Sequence, residues 1–200
     1  MLDLSRYQAI IFDMDGTLID SMPMHLQAWQ HAAQQYQFQF DEAWLNSLGG
    51  MPSIKIIDLI NQHQSLHLDP ILVSQAKAHY FTQVRHQCKV IPTTMAIVQY
   101  YHGKLKMAIG TGSQRHNAEA LLTTNQIRHY FDVVVSANDV ACHKPHPDTF
   151  LLAAQKMAVT PNQCVVFEDT ELGFEAARKA QMDVVQVKSD GQLDAHFSCA

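Results

Sequence analysis

Five short apolar runs, separated by helical patterns, constrain the fold of this chain more than any other feature of its sequence. Each run is rich in Ile or Val, which is typical of strands that are covered on both faces. The runs are Ala9–Asp13, Leu105–Gly110, Asp132–Ser136, Cys164–Glu168 and Asp183–Val187. The helical patterns between the last four are Asn117–Asn125, Pro147–Ala158 and Leu172–Met182. This alternation predicts an α/β fold with a parallel, doubly wound sheet of five strands.

The segment between the first two runs differs, because it contains helical stretches and no comparable β-rich run. The helical stretches lie near Met24–Tyr36, Ser53–Gln62 and Ile71–Gln87. We therefore predict an all-helical insertion at residues 17–88, with residues 1–16 and 89–200 forming the core. The insertion leaves the core at the end of the first strand, so we expect it beside the carboxyl ends of the strands, where open α/β sheets bind ligands. The tail, residues 189–200, has no clear periodicity and is expected to be partly mobile.

Bulk composition excludes several classes of protein. With 14 Lys and Arg against 19 Asp and Glu, the formal net charge is −5, so general attraction to nucleic acid or an anionic membrane is not expected. No apolar stretch is long enough to span a bilayer, and the first residues lack the plan of a signal peptide. The 4 cysteines are scattered without a CxxC pair, which favours reduced thiols. We expect a cytoplasmic protein, and a monomer.

Two carboxylates, Asp13 and Asp15, lie at the end of the first run, and Gly16 and Thr17 follow directly. Residues two apart on an extended strand point to the same side, so both carboxylates are expected to face one small volume. Two acids that close repel each other unless a cation or a developing positive centre lies between them. An acidic β-turn would explain Asp15 and Gly16, but not why Asp13 still belongs to the apolar run. This pair therefore favours a functional interpretation.

Polar residues also follow later strands and the loops between them. Thr111 lies in a Gly-Thr-Gly-Ser loop before a helix, where a hydroxyl and backbone amides can bind phosphate. The same sequence also suits an ordinary loop and N-cap. Lys144 precedes a proline and, taken alone, is typical of a solvated loop. Glu168 and Asp169 end a strand and could equally cap the next helix.

Taken together, these residues supply the parts needed for phosphoryl transfer. Carboxylates from two strand ends suit Mg²⁺, which prefers hard oxygen ligands. A hydroxyl, loop amides and one lysine suit the phosphate oxygens. One Asp can attack phosphorus and form an aspartyl phosphate. A second Asp can protonate the leaving alcohol and then activate water.

The set DxDGT (Asp13–Thr17), Thr111, Lys144 and Glu168-Asp169 resembles, in this order and spacing, the haloacid dehalogenase superfamily. More narrowly, it resembles the β-phosphoglucomutase-like phosphatases and mutases, over nearly the whole chain from about residue 9 to 187. The stretches IGTGS, HKPHPDTF and CVVFED are most similar to bacterial sugar phosphatases that act on fructose 1-phosphate. The resemblance implies a Rossmann-like core with a helical cap inserted after the first motif.

The resemblance also implies a role for each motif residue. It makes Asp13 the nucleophile and Asp15 the general acid and base, with Thr111, Gly112 and Lys144 holding the phosphate. Mg²⁺ would be bound by Asp13, the Asp15 carbonyl and Asp169, with Glu168 acting through a metal-bound water. A small phosphorylated sugar is the implied substrate.

Two departures from the family pattern are informative. The family's mutases carry a basic residue just after the cap-loop glycine, which grips a second phosphate. Here that loop, residues 49–53, reads GGMPS and has no Arg, although Lys55 lies nearby. At the end of the helix that follows Glu168-Asp169, Gln181 replaces the usual glycine. A left-handed backbone conformation at this helix end would therefore be energetically less favourable.

Four further residues are candidate substrate contacts. His25 corresponds to a mutase residue near the substrate, whereas Trp29 on the same helix face is expected to pack the cap helices. Ser113, Gln114 and Arg115 follow the phosphate loop and could touch the sugar or a distal anion. An exposed Arg without function is an equally good interpretation of Arg115.

Four functions are compatible with parts of this sequence. The sequence favours a Mg²⁺-dependent phosphatase for small phosphorylated sugars. A β-phosphoglucomutase-type isomerase is second, because the cap loop lacks its Arg. A dehalogenase is disfavoured by Asp15, which that chemistry does not use. A non-catalytic binding protein is expected to lose the nucleophile or a metal ligand, and this chain keeps both.

Overall fold

The computed structural model describes residues 2–196 and contains a mainly parallel sheet flanked by helices. The sheet has six strands, which are β1 (Ala9–Phe12), β4 (Lys106–Gly110), β5 (Val133–Val135), β6 (Cys164–Glu168), β7 (Asp183–Val187) and β8 (Leu193–His196). Their order across the sheet is β5-β4-β1-β6-β7-β8. The α/β fold with its parallel core is therefore confirmed, and all five predicted runs form strands.

The sixth strand adds to the five that the sequence predicted. β8 pairs antiparallel with β7, placing Leu193 opposite Val187 and Ala195 opposite Val185. Leu193 and Ala195 pack against the main hydrophobic cluster, so the first part of the tail is held by apolar side chains that alternate along an edge strand. The rest of the tail, residues 197–200, lies outside the described residues.

The sheet is buried on both faces, as its apolar strands predict. Along β1, Ile10 and Phe12 pack in one hydrophobic cluster and Ala9 and Ile11 in another. Successive side chains of a strand point to opposite faces, so these clusters lie on the two sides of the sheet. Four helices pack around the sheet: α5 (Pro92–Tyr101), α6 (Arg115–Thr124), α7 (Asp148–Lys156) and α8 (Glu171–Lys179).

The insertion after β1 is built of four helices with a hydrophobic cluster of its own. They are α1 (Met22–Tyr36), α2 (Glu42–Ser47), α3 (Ser53–Gln64) and α4 (Pro70–Val84). Trp29, Ile57 and Ile60 are buried in that cluster, as expected for Trp29. The sequence did not predict α2, which is six residues long and begins where the Asp41 carboxylate accepts a hydrogen bond from Trp44 N.

A two-stranded antiparallel ribbon joins the insertion to the core. It pairs β2 (Ile19–Asp20) with β3 (Lys89–Val90). Leu18 and Ile19 are fully buried in the main core cluster, which also includes Ala28 of α1 and Phe81 of α4. Among the described residues, no helix is both long and apolar enough to cross a membrane.

Candidate active site

The predicted catalytic residues meet where three neighbouring parallel strands end. β4, β1 and β6 are adjacent and run in the same direction, so their carboxyl ends share one edge of the sheet. Asp13 follows β1, Thr111 follows β4, and Glu168 is the last residue of β6. This edge faces the cap, because the cleft between core and cap is lined by Asp13 and Thr111 together with Trp29 of α1.

Lys144 is buried between two carboxylates. Its Nζ donates to Asp13 Oδ1 at 2.6 Å and to Glu168 Oε2 at 2.7 Å. Burial alone would lower the pKa of Lys144, but the charges of Asp13 and Glu168 outweigh it and raise that pKa. Burial and the neighbouring Glu168 raise the pKa of Asp13 well above its usual value, against the pull of Lys144. One buried cation thus faces two acids, which leaves negative charge to be neutralised.

Asp169 completes a group of three carboxylates that could hold a cation. One oxygen each from Asp13, Glu168 and Asp169 lie within 4.8 Å of one another. Burial and then Glu168 raise the pKa of Asp169 to about 7. Thr17 fixes this carboxylate by donating from Oγ1 to Asp169 Oδ1 at 2.8 Å. Hard oxygen donors that repel one another fit Mg²⁺, whose charge would relieve the repulsion.

Glu168 is fixed from its other side by the start of α8. Its Oε1 accepts hydrogen bonds from Thr170 N and from Thr170 Oγ1, at 3.1 and 2.7 Å. A side chain on Gly173 would place its Cβ 2.0 Å from Glu168 Cδ, so glycine is needed there. The N-cap of α8 is Thr170, whose Oγ1 also accepts a hydrogen bond from Gly173 N at 3.1 Å, and not Glu168 or Asp169 as the capping interpretation expected.

Asp15 accepts hydrogen bonds on both of its carboxylate oxygens. Ser21 Oγ donates to Oδ1 at 2.6 Å, and Ser113 Oγ donates to Oδ2 at 2.7 Å. His25 Nε2 lies 3.2 Å from Oδ1, and Thr111 Oγ1 donates to Oδ2 at 3.3 Å. Burial would raise the pKa of Asp15, but the contacts with His25, Ser21 and Ser113 outweigh it and lower that pKa. These contacts favour the carboxylate form of Asp15, so a proton can reside on it only after some of them are replaced.

Lys77 is a functional candidate that the sequence analysis missed. Its Nζ lies 2.8 Å from His25 Nδ1, so α4 of the cap extends the chain of contacts from Asp15. His25 stacks on Phe81, with ring centroids 4.0 Å apart. Burial lowers the pKa of Lys77 to about 8, and burial together with Lys77 lowers the pKa of His25. The spacing of Val73, Lys77 and Phe81, four residues apart on one helix face, was the available signal.

The phosphate loop lies directly against the cap loop. Thr111 is buried, and its Oγ1 accepts a hydrogen bond from Ser113 N at 3.0 Å. A Cβ on Gly112 would lie 2.1 Å from the carbonyl oxygen of Gly50, so the two main chains meet in this closed arrangement. Ser113 and Gln114 line the cleft as well.

Arg115 is the predicted substrate contact that the structure places elsewhere. Its Nη2 donates to Asp139 Oδ2 at 2.5 Å and to the Val134 carbonyl at 3.0 Å. Asp139 also accepts hydrogen bonds from the Ser136 backbone and hydroxyl. Arg115 thus ties the start of α6 to the end of β5, and it is not among the described residues that line the cleft.

The chain is similar to known proteins over most of its length. The family model of haloacid dehalogenase-like hydrolases matches residues 10–187. The chain is 43% identical to the fructose-1-phosphate phosphatase YqaB of Escherichia coli, over 92% of this chain and 97% of that protein. It is 29% identical to a phosphorylated carbohydrates phosphatase of Thermotoga maritima, over 92% of this chain and 88% of that one.

Solved structures share the fold. A β-phosphoglucomutase from Clostridium difficile superposes with a TM-score of 0.83 at 24% identity, covering 90% of this chain and 84% of that chain. The chain belongs to the haloacid dehalogenase-like hydrolase family. It is an enzyme of the phosphatase type, as the sequence resemblance implied.

Proposed function

We propose that this enzyme hydrolyses small phosphorylated sugars of the fructose 1-phosphate kind, with Mg²⁺ and through an aspartyl phosphate. The observation that carries the proposal is the buried arrangement of Asp13, Lys144 and Glu168 beside Asp15, whose carboxylate oxygens contact both the phosphate loop and the cap. The relatives named as sugar phosphatases support the substrate class.

Asp13 is the proposed nucleophile. A carboxylate oxygen of Asp13 forms a bond to phosphorus, and the bond from phosphorus to the sugar oxygen breaks. Lys144, 2.6 Å from Asp13 Oδ1, keeps the carboxylate oriented and offers positive charge to the transferring group. Thr111 Oγ1 and the Gly112 amide are the proposed ligands for the remaining phosphate oxygens.

Asp15 is the proposed acid and base. It must give a proton to the leaving sugar oxygen and take one from the water that later attacks the aspartyl phosphate. His25 lies 3.2 Å from Asp15 Oδ1 and is itself backed by Lys77, so this pair can orient the carboxylate. Asp15 can donate to the bridging oxygen of the substrate only in its protonated form, so that oxygen has to replace one of the present hydrogen bonds, and the contact with Ser113 on the phosphate loop is placed for that exchange.

The metal site is proposed for Asp13, Asp169 and the Asp15 carbonyl, with Glu168 in support. A bound Mg²⁺ would neutralise the repulsion between the nucleophile and the phosphate, which is commonly a matter of several kcal/mol. Thr17 holds Asp169 by a hydrogen bond, and Gly16 leaves room for its carboxylate.

The cap is the proposed selector of substrates, and we propose its limits as residues 17–88 with the β2–β3 ribbon as the hinge. The cleft has a volume of about 230 Å³, which suits a small monophosphate. Trp29, Leu45 and Met51 supply apolar lining, and residues 49–53 contain no Arg for a second phosphate. This loop favours hydrolysis over a mutase reaction. We also propose a monomer that acts in the cytoplasm.

Turnover assays test this proposal. With Mg²⁺ present, we expect phosphate release from fructose 1-phosphate with a kcat/KM about tenfold or more above that for fructose 1,6-bisphosphate, because a second phosphate meets no Arg partner. Chelation by EDTA should abolish turnover, and added Mg²⁺ should restore it. Full activity in metal-free buffer would contradict the metal requirement, and conversion of glucose 1-phosphate to glucose 6-phosphate without phosphate release would favour the mutase.

A further inference from the structure

A groove separate from the substrate cleft also reaches the carboxylate cluster. The groove has a volume of about 1240 Å³ and is bordered by α2 of the cap, by the β2–β3 ribbon and by the turn between β7 and β8. Asp13 and Asp15 line the cleft, whereas Asp169 and Gly16 line the groove. The same group of acids is therefore accessible from two spaces.

A thin wall divides the two spaces. Met22 and Leu26 of α1 line both of them. A Cβ on Gly49 would lie 3.4 Å from Thr170 Cγ2 and 3.5 Å from Met22 Cε, which is ordinary van der Waals contact. Met22 and Thr170 therefore both lie next to Gly49 of the cap loop.

The inner end of the groove is shaped around Asp169. Within the cluster, Asp13 and Glu168 are buried, and Asp169 is the partly exposed member. Gly16 has a φ of +88°, and a Cβ there would lie 2.3 Å from Asp169 Oδ2. Glycine at this position thus leaves room for the carboxylate beside the groove, and the Thr17 hydroxyl holds that carboxylate still.

The charges along the groove favour a cation. Asp20, Glu42 and Asp190 are exposed on its walls, in addition to Asp169. The lysines of the walls are Lys89 and Lys188, and Lys188 lies 3.4 Å from Asp194 Oδ2. A concave surface with an excess of acidic groups raises the local concentration of cations.

We propose that this groove is the path by which the divalent cation and its water molecules enter and leave the carboxylate cluster while the cap is closed. The substrate and the sugar product then use the cleft, and the metal site exchanges with solvent through the groove. This inference rests on the proposed function only in requiring that a divalent cation binds at the cluster.

The test compares two tryptophan variants of α2. Asn46 is exposed and lines the groove, whereas the neighbouring Ser47 is equally exposed but lies outside the groove lining. Asn46→Trp places bulk in the path, and Ser47→Trp is the matched control. Protein loaded with Mn²⁺ and orthovanadate is mixed with excess Mg²⁺, and the EPR signal of free Mn²⁺ reports release. Loss of Mn²⁺ binding in Asp169→Asn identifies the site.

A path changes the rates of binding and release by the same factor and leaves the affinity unchanged. We therefore expect Asn46→Trp to slow both rates about tenfold, equivalent to ~1.4 kcal/mol of added barrier, with an unchanged Kd and with Ser47→Trp at the wild-type rates. Ser189→Trp, on the opposite wall, should repeat the result. Equal rates in all three variants, or a changed Kd in Asn46→Trp, would overturn the proposal. Failure of the wild-type protein to bind Mn²⁺ would instead overturn the proposed metal requirement.

Discussion

Lys77 is a cap lysine whose ammonium group is buried next to His25 and near the rings of Trp29 and Phe81. Burial lowers its pKa from 10.5 to about 8. A depressed pKa in a lysine means that the unfolded chain binds the proton more readily than the folded protein does. The charge of Lys77 therefore opposes folding at neutral pH, which is the kind of cost that functional residues carry.

Replacing Lys77 tests this electrostatic cost. Lys77→Met should raise the free energy of unfolding at pH 7 by about 1–2 kcal/mol. This gain is smaller than the lowered pKa of Lys77 alone suggests, because His25 loses a hydrogen-bond partner. Between pH 8 and 10.5 the unfolded wild-type chain binds more protons than the folded one, so wild-type stability rises with pH and the difference shrinks. Urea unfolding at pH 7 and pH 9.5 measures it, with the exposed Lys156→Met as control. The same difference at both pH values would contradict the account.

Helix ends show a consistent departure from the usual glycine. Gln37, Ser65, Gln126, Ala158 and Gln181 all have φ between 53° and 60° just after a helix. The departure at Gln181 that the sequence indicated is therefore present as a left-handed residue. Each side chain in this conformation places its Cβ close to the backbone, which glycine avoids.

The substitution Gln181→Gly should stabilise the protein. We expect a gain of about 1 kcal/mol, seen as a rise in Tm of roughly 2–4 °C, because the strain at φ 60° is removed. Gln155→Gly makes the same chemical change inside α7, where glycine should cost about 1 kcal/mol. Differential scanning calorimetry of both variants is the measurement. Equal destabilisation by the two would show that the left-handed position carries no strain.

The whole molecule is arranged so that two glycines bring the cap onto the core. Gly112 of the phosphate loop meets the Gly50 carbonyl of the cap loop, while Gly50 also lies near Lys144. Backbone contact of this kind leaves no space for a side chain on Gly112. Closure over the phosphate loop would exclude water from the aspartyl phosphate until the sugar has left.

Gly112→Ala tests the role of closure. The added Cβ would lie 2.1 Å from the Gly50 oxygen, so the cap should stop short of its closed position. We expect kcat/KM for fructose 1-phosphate to fall by about tenfold or more. The kcat/KM for p-nitrophenyl phosphate should fall much less, because turnover of this substrate depends less on closure of the cap. Equal losses on both substrates would mean that the substitution damages the phosphate loop itself.

The closeness of Asp13 and Glu168 could be predicted from the sequence because both lie at the ends of parallel strands. Lys144 lies in a loop after β5, and its contacts with both carboxylates are a finding of the structure. The fold followed from the same strands. β8 was missed because a short edge strand of alternating residues resembles a polar tail.

Contacts between the cap and the core could not be predicted in the same way. They depend on how the helical insertion packs against the sheet, and no local pattern specifies that. Lys77 is such a case, because its partner His25 lies on another helix. The ion pair of Arg115 with Asp139 is another, because an arginine after a phosphate loop can turn toward the substrate or toward its own domain.

The most direct test of the central claim is to trap phosphate on Asp13. In Asp15→Ala, p-nitrophenolate should still leave, since it needs little proton donation, whereas hydrolysis of the aspartyl phosphate should slow by about 10²–10⁴-fold. A burst of p-nitrophenol should precede a slow steady state, and mass spectrometry after rapid quenching should locate the added phosphate on Asp13. Asp13→Asn should give neither burst nor label. Phosphate on another residue, or wild-type turnover by Asp15→Ala, would contradict the account.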